Sequence, residues 1–294
     1  VLVGFKNKDF FRFLNFKNVI SKRPHLKKFW KNYLNLISLA FVGAISLPLN
    51  LVLASSLGEG AVGIYSFGMK FIVFISALIL AVLNGVLLPY LSSLVINFNK
   101  EVIKNELSTI LFLSTLISIP ISIFLYLISD YVSFLLFGKT VVDGATILGI
   151  SSVMKYAVIQ LPFWIPLMIC FKHANAISKS LFFLVLGLIG FLINLFFGLL
   201  LMPLMNVGGL ALASSLSFGI TSTLILFYYL FFGYVRLFDT ILILLSWSLY
   251  IALLVSIYIN NFISIFLVFI MFIVTFMLFY KKIRNNHSFK NSKI

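Results

Sequence analysis

The sequence is poor in charge and in cysteine. Only 10% of its 294 residues are charged and 62% are hydrophobic, whereas a soluble domain carries about 25% charged residues. The single cysteine, Cys170, excludes an internal disulfide and a cysteine-based metal cluster. A soluble domain of this composition would expose far more apolar surface than water tolerates. The scarcity of charge therefore indicates an integral membrane protein.

Residue patterns of catalysis and metal binding are also lacking. The sequence contains no Walker loop, no nucleophile elbow and no paired carboxylates, and its three histidines have no metal-ligand spacing. All seven acidic residues fall in predicted loops or at the ends of predicted spans. A transporter coupled through a buried carboxylate would need an acid within a span. We therefore expect a transporter without catalytic residues, metal or cofactor, and not an enzyme.

Long apolar runs dominate what is present, and the mean hydropathy is +1.16. Open strands cannot span lipid and strands of membrane barrels alternate in polarity, which these runs do not, so the runs are predicted to be helices. The expected fold is an all-α integral membrane protein with about eight transmembrane helices of roughly 20 residues or more. The runs are Leu34–Leu53, Ala61–Ser93, Leu107–Ile128, Ala145–Phe171, Ile177–Met202, Leu210–Phe232, Thr240–Ile259 and Phe262–Tyr280.

The net charge of +15 does not indicate nucleic-acid binding, because the basic residues are concentrated at the two ends of the chain and are almost absent from the apolar runs. Eight spans place both termini on one side, and that side then holds 19 of the 22 Lys and Arg residues, against only Lys139 on the other. Cytoplasmic loops are enriched in basic residues. We therefore predict a multi-pass protein with both termini in the cytoplasm, flanked by a basic segment 1–33 and a basic tail 281–294.

The basic segment 1–33 has two interpretations that the sequence leaves open. Its apolar residues, among them Phe10, Phe13 and Leu14, are spaced as in an amphipathic helix that lies on the inner leaflet. There each basic residue would gain about 1 kcal/mol from anionic lipid. Alternatively, the segment is a partly disordered linker that only sets the topology.

Four polar residues inside predicted spans are candidates for substrate binding. Lys70 lies about 15 Å beyond the outer boundary, near mid-bilayer, where a lysine costs roughly 3 kcal/mol and usually faces a cavity or a partner. Lys155 lies in a span that Pro162 is expected to bend, although a lysine there could instead reach the outer surface. Asn84 and Asn194 could line a polar path, or could form the commoner interhelical hydrogen bonds.

Several stretches together resemble the MviN/MurJ family, the lipid II flippases of the MOP superfamily. Each motif is weak alone, because small residues are common in membrane helices, but their order and separation over residues 34–232 make the resemblance specific. The stretches are Ala54–Val62, Leu88–Ser92 with its L-P-x-L-S element, Leu135–Gly138, and Asn194 with Gly208–Ser217.

The resemblance covers only the second half of the family. Members typically have two six-helix lobes, similar to those of MATE transporters, followed by two further helices. Residues 34–232 would then be the second lobe, 233–280 the final pair, and 1–33 the cytoplasmic linker between lobes. The first residue is Val1 and not Met, so we expect that a first lobe is missing from this chain.

The resemblance implies a flippase in the bacterial cytoplasmic membrane that moves lipid II, a lipid-linked peptidoglycan precursor, by alternating access. The expected partners are an undecaprenyl diphosphate-type lipid-linked glycan, membrane lipid and the first lobe. Met69-Lys70 stands where the family usually has Asp-Arg, and lysine lacks the guanidinium fork that grips a diphosphate at two points. A flippase or exporter of another polyprenyl-linked oligosaccharide is therefore an alternative. A multidrug exporter and a non-transporting assembly subunit represent different classes.

Overall fold

The computed structural model describes residues 48–139, 143–177 and 181–259, together with the single positions Ile273 and Met277. All regular structure in these ranges is helical. Outside the described residues lie the predicted segments 1–33 and 281–294, most of the first predicted span, and the last predicted span, Phe262–Tyr280, except for those two positions. The helices are α1 (48–55), α2 (Ala61–Val82), a π-helical turn (Leu83–Leu87), α3 (Leu88–Asn97), α4 (Lys100–Phe137), α5 (Gly144–Val158), α6 (Leu161–Ala176), α7 (Leu181–Phe231) and α8 (Leu237–Tyr258).

Membrane-spanning helices are confirmed, whereas their predicted total of eight stays a prediction. Within the described ranges, four helices are long and apolar enough to cross a bilayer, or five if the bent pair α5–α6 forms one span. Several exceed their predicted bounds, because the helix continues past the apolar run. The predicted span Leu107–Ile128, for example, lies within α4, which extends from Lys100 to Phe137.

Helix α7 combines two predicted spans. At Asn206 the backbone leaves the helical region (φ 52°, ψ −139°), and the chain folds back on itself. The Ser217 hydroxyl donates to the Gly190 carbonyl at 2.7 Å, and Ser214 meets Asn194 at 3.2 Å. These pairs lie at increasing separation from Asn206 on both sides, so the two arms, each about 25 residues long, run antiparallel. Each arm is long enough to span a bilayer.

Helix ends contact one another at two opposite levels of the bundle, as expected when successive spans alternate in direction. At one level, His173 of α6 lies against Tyr229 and Tyr234 at the end of α7, with ring centroids 5.6 and 5.5 Å apart. At the opposite level, the hydroxyl of Ser56, just beyond α1, lies 3.6 Å from the sulfur of Met202 in the first arm of α7. The charge distribution predicts that the first level is cytoplasmic and the second external.

The bent pair α5–α6 lies at the centre of the bundle. Helix α5 packs against α2, α4 and α7, and α6 packs against α3, α4 and α7. Close packing with α2 depends on Gly68, where a Cβ would lie 2.5 Å from the Val153 Cβ. The predicted division into a lobe over 34–232 and a final pair over 233–280 remains a prediction.

Candidate functional site

The structure distributes the four predicted site residues over three places. Lys70 and Asn84 lie on the exposed face of α2 and its π-helical continuation. Lys155 forms an ion pair with Asp130. Asn194 lies in a buried hydrogen-bonded cluster. The four residues therefore do not converge on one site within the part of the chain that the structure describes.

Lys70 presents its ammonium group at the surface of the described helices. Its Nζ lies 4.3 Å from the centroid of the Phe67 ring, a cation–π geometry. Phe67 in turn packs edge to face against Phe137, with centroids 5.6 Å apart. Among the described residues Lys70 forms no ion pair, so its charge can interact with a ligand.

Asn84 lies in the π-helical turn that precedes Pro89. The proline ring crowds the carbonyl four residues before it, at Gly85, and the wider turn accommodates this crowding. About four helical turns, roughly 20 Å, separate Asn84 from Lys70, and both are exposed on the same side of the helix.

Lys155, in the last turn of α5, is held by one side chain, Asp130 of α4. Its Nζ lies 2.5 Å from Oδ2 of Asp130, and the two side chains are 28% and 57% exposed. The hydroxyl of Ser151, one turn before Lys155, donates to the other carboxylate oxygen of Asp130. The charge of Lys155 is therefore balanced by an acid within α4, and the pair is accessible.

Asn194 belongs to a cluster that joins α1, α2 and both arms of α7. The Asn50 amide donates to the Tyr65 hydroxyl at 2.9 Å and to the Ser214 hydroxyl at 3.0 Å. The Asn194 amide donates to the Asn50 side-chain oxygen at 3.1 Å, and its own oxygen accepts from Ser214 at 3.2 Å. The cluster matches the interhelical alternative for Asn194, because its polar atoms hydrogen-bond to one another.

A groove of about 690 Å³ runs along α8 between the bent pair and the second arm of α7. It extends from Leu244 to Tyr258, about 20 Å of helix, which is most of the hydrocarbon thickness of a bilayer. Its side chains are mainly apolar and aromatic, including Ile159, Phe163, Leu216, Phe227 and Ile251.

The polar side chains along the middle of the groove are already hydrogen-bonded. Ser215 donates to the Tyr156 carbonyl, Thr223 to the Gly219 carbonyl and Ser248 to the Leu245 carbonyl. The groove wall therefore offers little to a polar ligand and suits a hydrocarbon chain.

The bend between α5 and α6 is stabilised from other helices. The pair is bent by 46°, and Pro162 and Pro166, which lack N–H groups, leave the carbonyls of Val158 and Pro162 without their helical donors. Ser122 of α4 donates to the Val158 carbonyl at 2.7 Å. The Trp247 indole of α8 donates to the Pro162 carbonyl at 3.0 Å. Neighbouring helices thus satisfy the backbone that the prolines disrupt, as membrane helices require.

Tyr250 of α8 also stabilises the bend, through a hydrogen bond to Ser122. Its hydroxyl lies 2.6 Å from that of Ser122. Because the one hydroxyl hydrogen of Ser122 goes to Val158, Tyr250 donates to Ser122. Helix α8 therefore contacts the bend through Trp247 and through a Tyr250–Ser122–Val158 chain, and the Trp247 ring also lines the groove.

We expect Trp247→Phe to lower the free energy of unfolding by about 1 kcal/mol more than Trp164→Phe does, because only the first leaves a buried carbonyl without a donor. Both tryptophans are buried, at 3% and 8% exposure, and Trp164 donates no hydrogen bond within the described ranges. The measurement is unfolding in detergent monitored by circular dichroism. Equal losses for the two variants would show that the Trp247 hydrogen bond does not stabilise the bend.

Sequence reasoning identified the bend at Pro162 but not the residues that compensate for the two prolines. Ser122 and Trp247 lie 36 and 85 residues from the carbonyls they reach, and neither belongs to a motif. The pair of Asp130 with Lys155 was missed because Asp130 lies just past the predicted span. The available signal was one acid just past the end of one predicted span and one lysine within the next.

Comparisons with known proteins agree with this architecture. The family model described as lipid II flippase MurJ matches residues 3–281. Comparison with curated proteins finds no match. Among solved structures, lipid II flippase MurJ in an inward closed conformation aligns with a TM-score of 0.61 at 17% identity, over 88% of this chain and 55% of that one.

A second solved structure is a MOP superfamily transporter from Pyrococcus furiosus, described as having a binding pocket of reverse polarity that suggests a different function. It aligns with a TM-score of 0.55 at 14% identity, over 79% of this chain and 54% of that one. The chain thus spans about half the length of each solved transporter, and both similarities show a shared fold. Because the family model covers nearly the whole chain, this membrane protein belongs to the MurJ family of lipid II flippases.

Proposed function

We propose that the chain forms one half of a flippase that moves lipid II across the cytoplasmic membrane by alternating access. Family membership supports the activity, and the groove along α8 is the observation that carries it. Unaided transfer of a sugar-diphosphate head group buries anions and many hydroxyls in hydrocarbon, which is prohibitive. A flippase must therefore shelter the head group while the lipid chain stays in an apolar environment.

Two features of this half meet these two needs. The groove is apolar, about 20 Å long and free of unsatisfied polar groups along its middle, which suits a polyprenyl chain. Lys70 supplies an exposed cation without an acidic partner among the described residues. In the proposed mechanism it contacts the diphosphate inside a cavity formed with the other lobe, and rocking of the lobes exposes that cavity to each side in turn. Asn84, on the same exposed side, would contact the glycan.

The test is rescue of bacterial cells depleted of their lipid II flippase. The chain is joined to a first lobe taken from a homologous flippase, and we expect growth and normal cell shape to return. The matched control is the same fusion with Lys70→Ala, produced at the same level in the membrane. Normal membrane levels of the unmodified fusion without rescue would refute lipid II transport. Transport of another polyprenyl-linked glycan by the same fusion in vesicles would then support the alternative substrate.

A further inference from the structure

One end of the groove changes from apolar to polar in an ordered way. Three tyrosines, Tyr126, Tyr156 and Tyr258, line this end. Within the described ranges their hydroxyls have no hydrogen-bond partner, and Tyr258 is 76% exposed. Asp130 follows Tyr126 by one helical turn on the same face of α4 and pairs with Lys155, so the ion pair lies beside the tyrosines, just beyond the residues that line the groove. Moving outward, a ligand would meet apolar side chains, then hydroxyls, then an ion pair.

This order is that of an amphiphile with an anionic head. We propose that the groove ends in a binding site for the phosphate of a polyprenyl phosphate or diphosphate lipid, formed by Lys155 with the three tyrosines. When no lipid is bound, Lys155 forms its ion pair with Asp130 instead. The inference rests on the proposed function, because it takes the lipid chain to lie in the groove. It adds a second phosphate position, separate from Lys70, at the end of the bundle that the charge distribution places outside.

The ion pair has the properties of an exchangeable contact. Lys155 is 28% exposed and Asp130 is 57% exposed, so neither partner is enclosed. Asp130 also accepts from Ser151, so it keeps a hydrogen bond when Lys155 turns away. Lysine carries a compact charge on a flexible stem with three donors, and it can move from a carboxylate to a phosphate without a change in the backbone. The tyrosine hydroxyls then donate to the remaining phosphate oxygens.

The alternative is that these tyrosines are interfacial aromatic residues of the kind found in membrane proteins generally, with a purely structural ion pair beside them. The two readings differ in what Asp130 does. In a structural pair Asp130 contributes to folding and no lipid depends on it. In the proposed site Asp130 competes with the phosphate, so removing its charge strengthens lipid binding.

The test uses the 294-residue chain in phosphatidylcholine nanodiscs and measures ligand binding by native mass spectrometry. The ligands are a polyprenyl diphosphate, the neutral polyprenol and inorganic diphosphate. We expect Lys155→Met to raise the Kd for polyprenyl diphosphate about tenfold and Asp130→Asn to lower it severalfold. Binding of the polyprenol stays unchanged in both variants. Lys139→Gln, which removes an exposed cation in the adjacent loop, is the matched control and leaves every Kd unchanged.

Unchanged affinity in both Asp130→Asn and Lys155→Met would overturn the proposal and leave a structural ion pair. Asp130→Asn keeps the test decisive if Lys155→Met folds poorly, because it predicts a gain. Inorganic diphosphate that binds as tightly and with the same dependence on Lys155 would indicate a free-anion site and overturn the lipid assignment.

The Lys70→Ala variant separates this inference from the proposed function. If polyprenyl diphosphate binds and only Lys70→Ala weakens it, the flippase proposal stands and the second site does not. If the Lys155 and Asp130 variants alter binding while Lys70→Ala does not, the second site stands without a role for Lys70. A wild-type chain that binds no polyprenyl diphosphate would overturn the second site, whereas the flippase proposal is decided by the rescue with the fused first lobe.

Discussion

Lys70→Ala is expected to abolish lipid II transport by the complete flippase, and Lys70→Arg is expected to retain or improve it. A charge-assisted hydrogen bond to phosphate contributes about 1.5–3 kcal/mol, or roughly a tenfold to hundredfold effect, and more where water is excluded. Alanine removes that interaction, whereas the guanidinium of arginine adds a bidentate grip. The measurement is the flipping rate of fluorescent lipid II in proteoliposomes, per unit of folded protein.

The matched control for this prediction is Lys100→Ala. Lys100 is also exposed, at the start of α4, and lies far along the chain from the proposed contact, so its loss should leave the flipping rate unchanged. If Lys70 only reaches toward the membrane surface over the Phe67 ring, alanine relieves a burial cost of roughly 3 kcal/mol and transport continues. A fully active Lys70→Ala protein would remove Lys70 from the mechanism.

Gly209→Ala is expected to destabilise the hairpin of α7 by about 3 kcal/mol or more. A Cβ at Gly209 would lie 2.4 Å from the carbonyl oxygen of Leu201 and 2.6 Å from its carbon. Both are backbone atoms, so the clash cannot be relieved by a rotamer change and the two arms must separate. Separation would also strain the bond between Ser217 and Gly190. The measurement is the thermal unfolding midpoint in detergent, together with the yield of monodisperse protein.

Gly63→Ala is the matched control for the hairpin prediction. Gly63 lies within α2 and a Cβ there would meet nothing within 4 Å. Alanine at such a helical position stabilises by about 0.5–1 kcal/mol, because glycine loses more backbone entropy on folding. The two substitutions add the same methyl group and are expected to act in opposite directions. Equal unfolding midpoints would show that the arms are not held together at Gly209.

The helices were predictable from the sequence because a bilayer imposes a simple rule on apolar runs. A span needs about 20 apolar residues and must be helical, and the runs from Ala61 to Ile259 satisfy this without reference to tertiary structure. The reversal in α7 was predicted only as a loop between Met202 and Leu210. Its compactness depends on one residue with positive φ, Asn206, and on the missing side chain of Gly209, neither of which has a signature in hydropathy.

The candidate site was predictable only where a residue acts alone. Lys70 could be identified from its depth in a span, since the cost of burying a lysine does not depend on which helix lies beside it. The partners of Lys155 and Asn194 could not, because Asp130 and Asn50 lie on other helices, 25 and 144 residues away. The groove is likewise formed by side chains from five helices, α4 to α8.

The hydrogen bonds across the bend have a consequence for biosynthesis. The Pro162 carbonyl receives its donor from Trp247, which leaves the ribosome 85 residues later. Until α8 is released into the bilayer, that carbonyl and the groove wall beside it have neither their donor nor their packing partner. The central span therefore completes its translocation with one of the two carbonyls at the bend still lacking its donor. We therefore expect the bend to mature only after a late segment of the chain has been inserted, and a nascent chain stalled before α8 to be cleaved more readily by membrane proteases than one that includes α8.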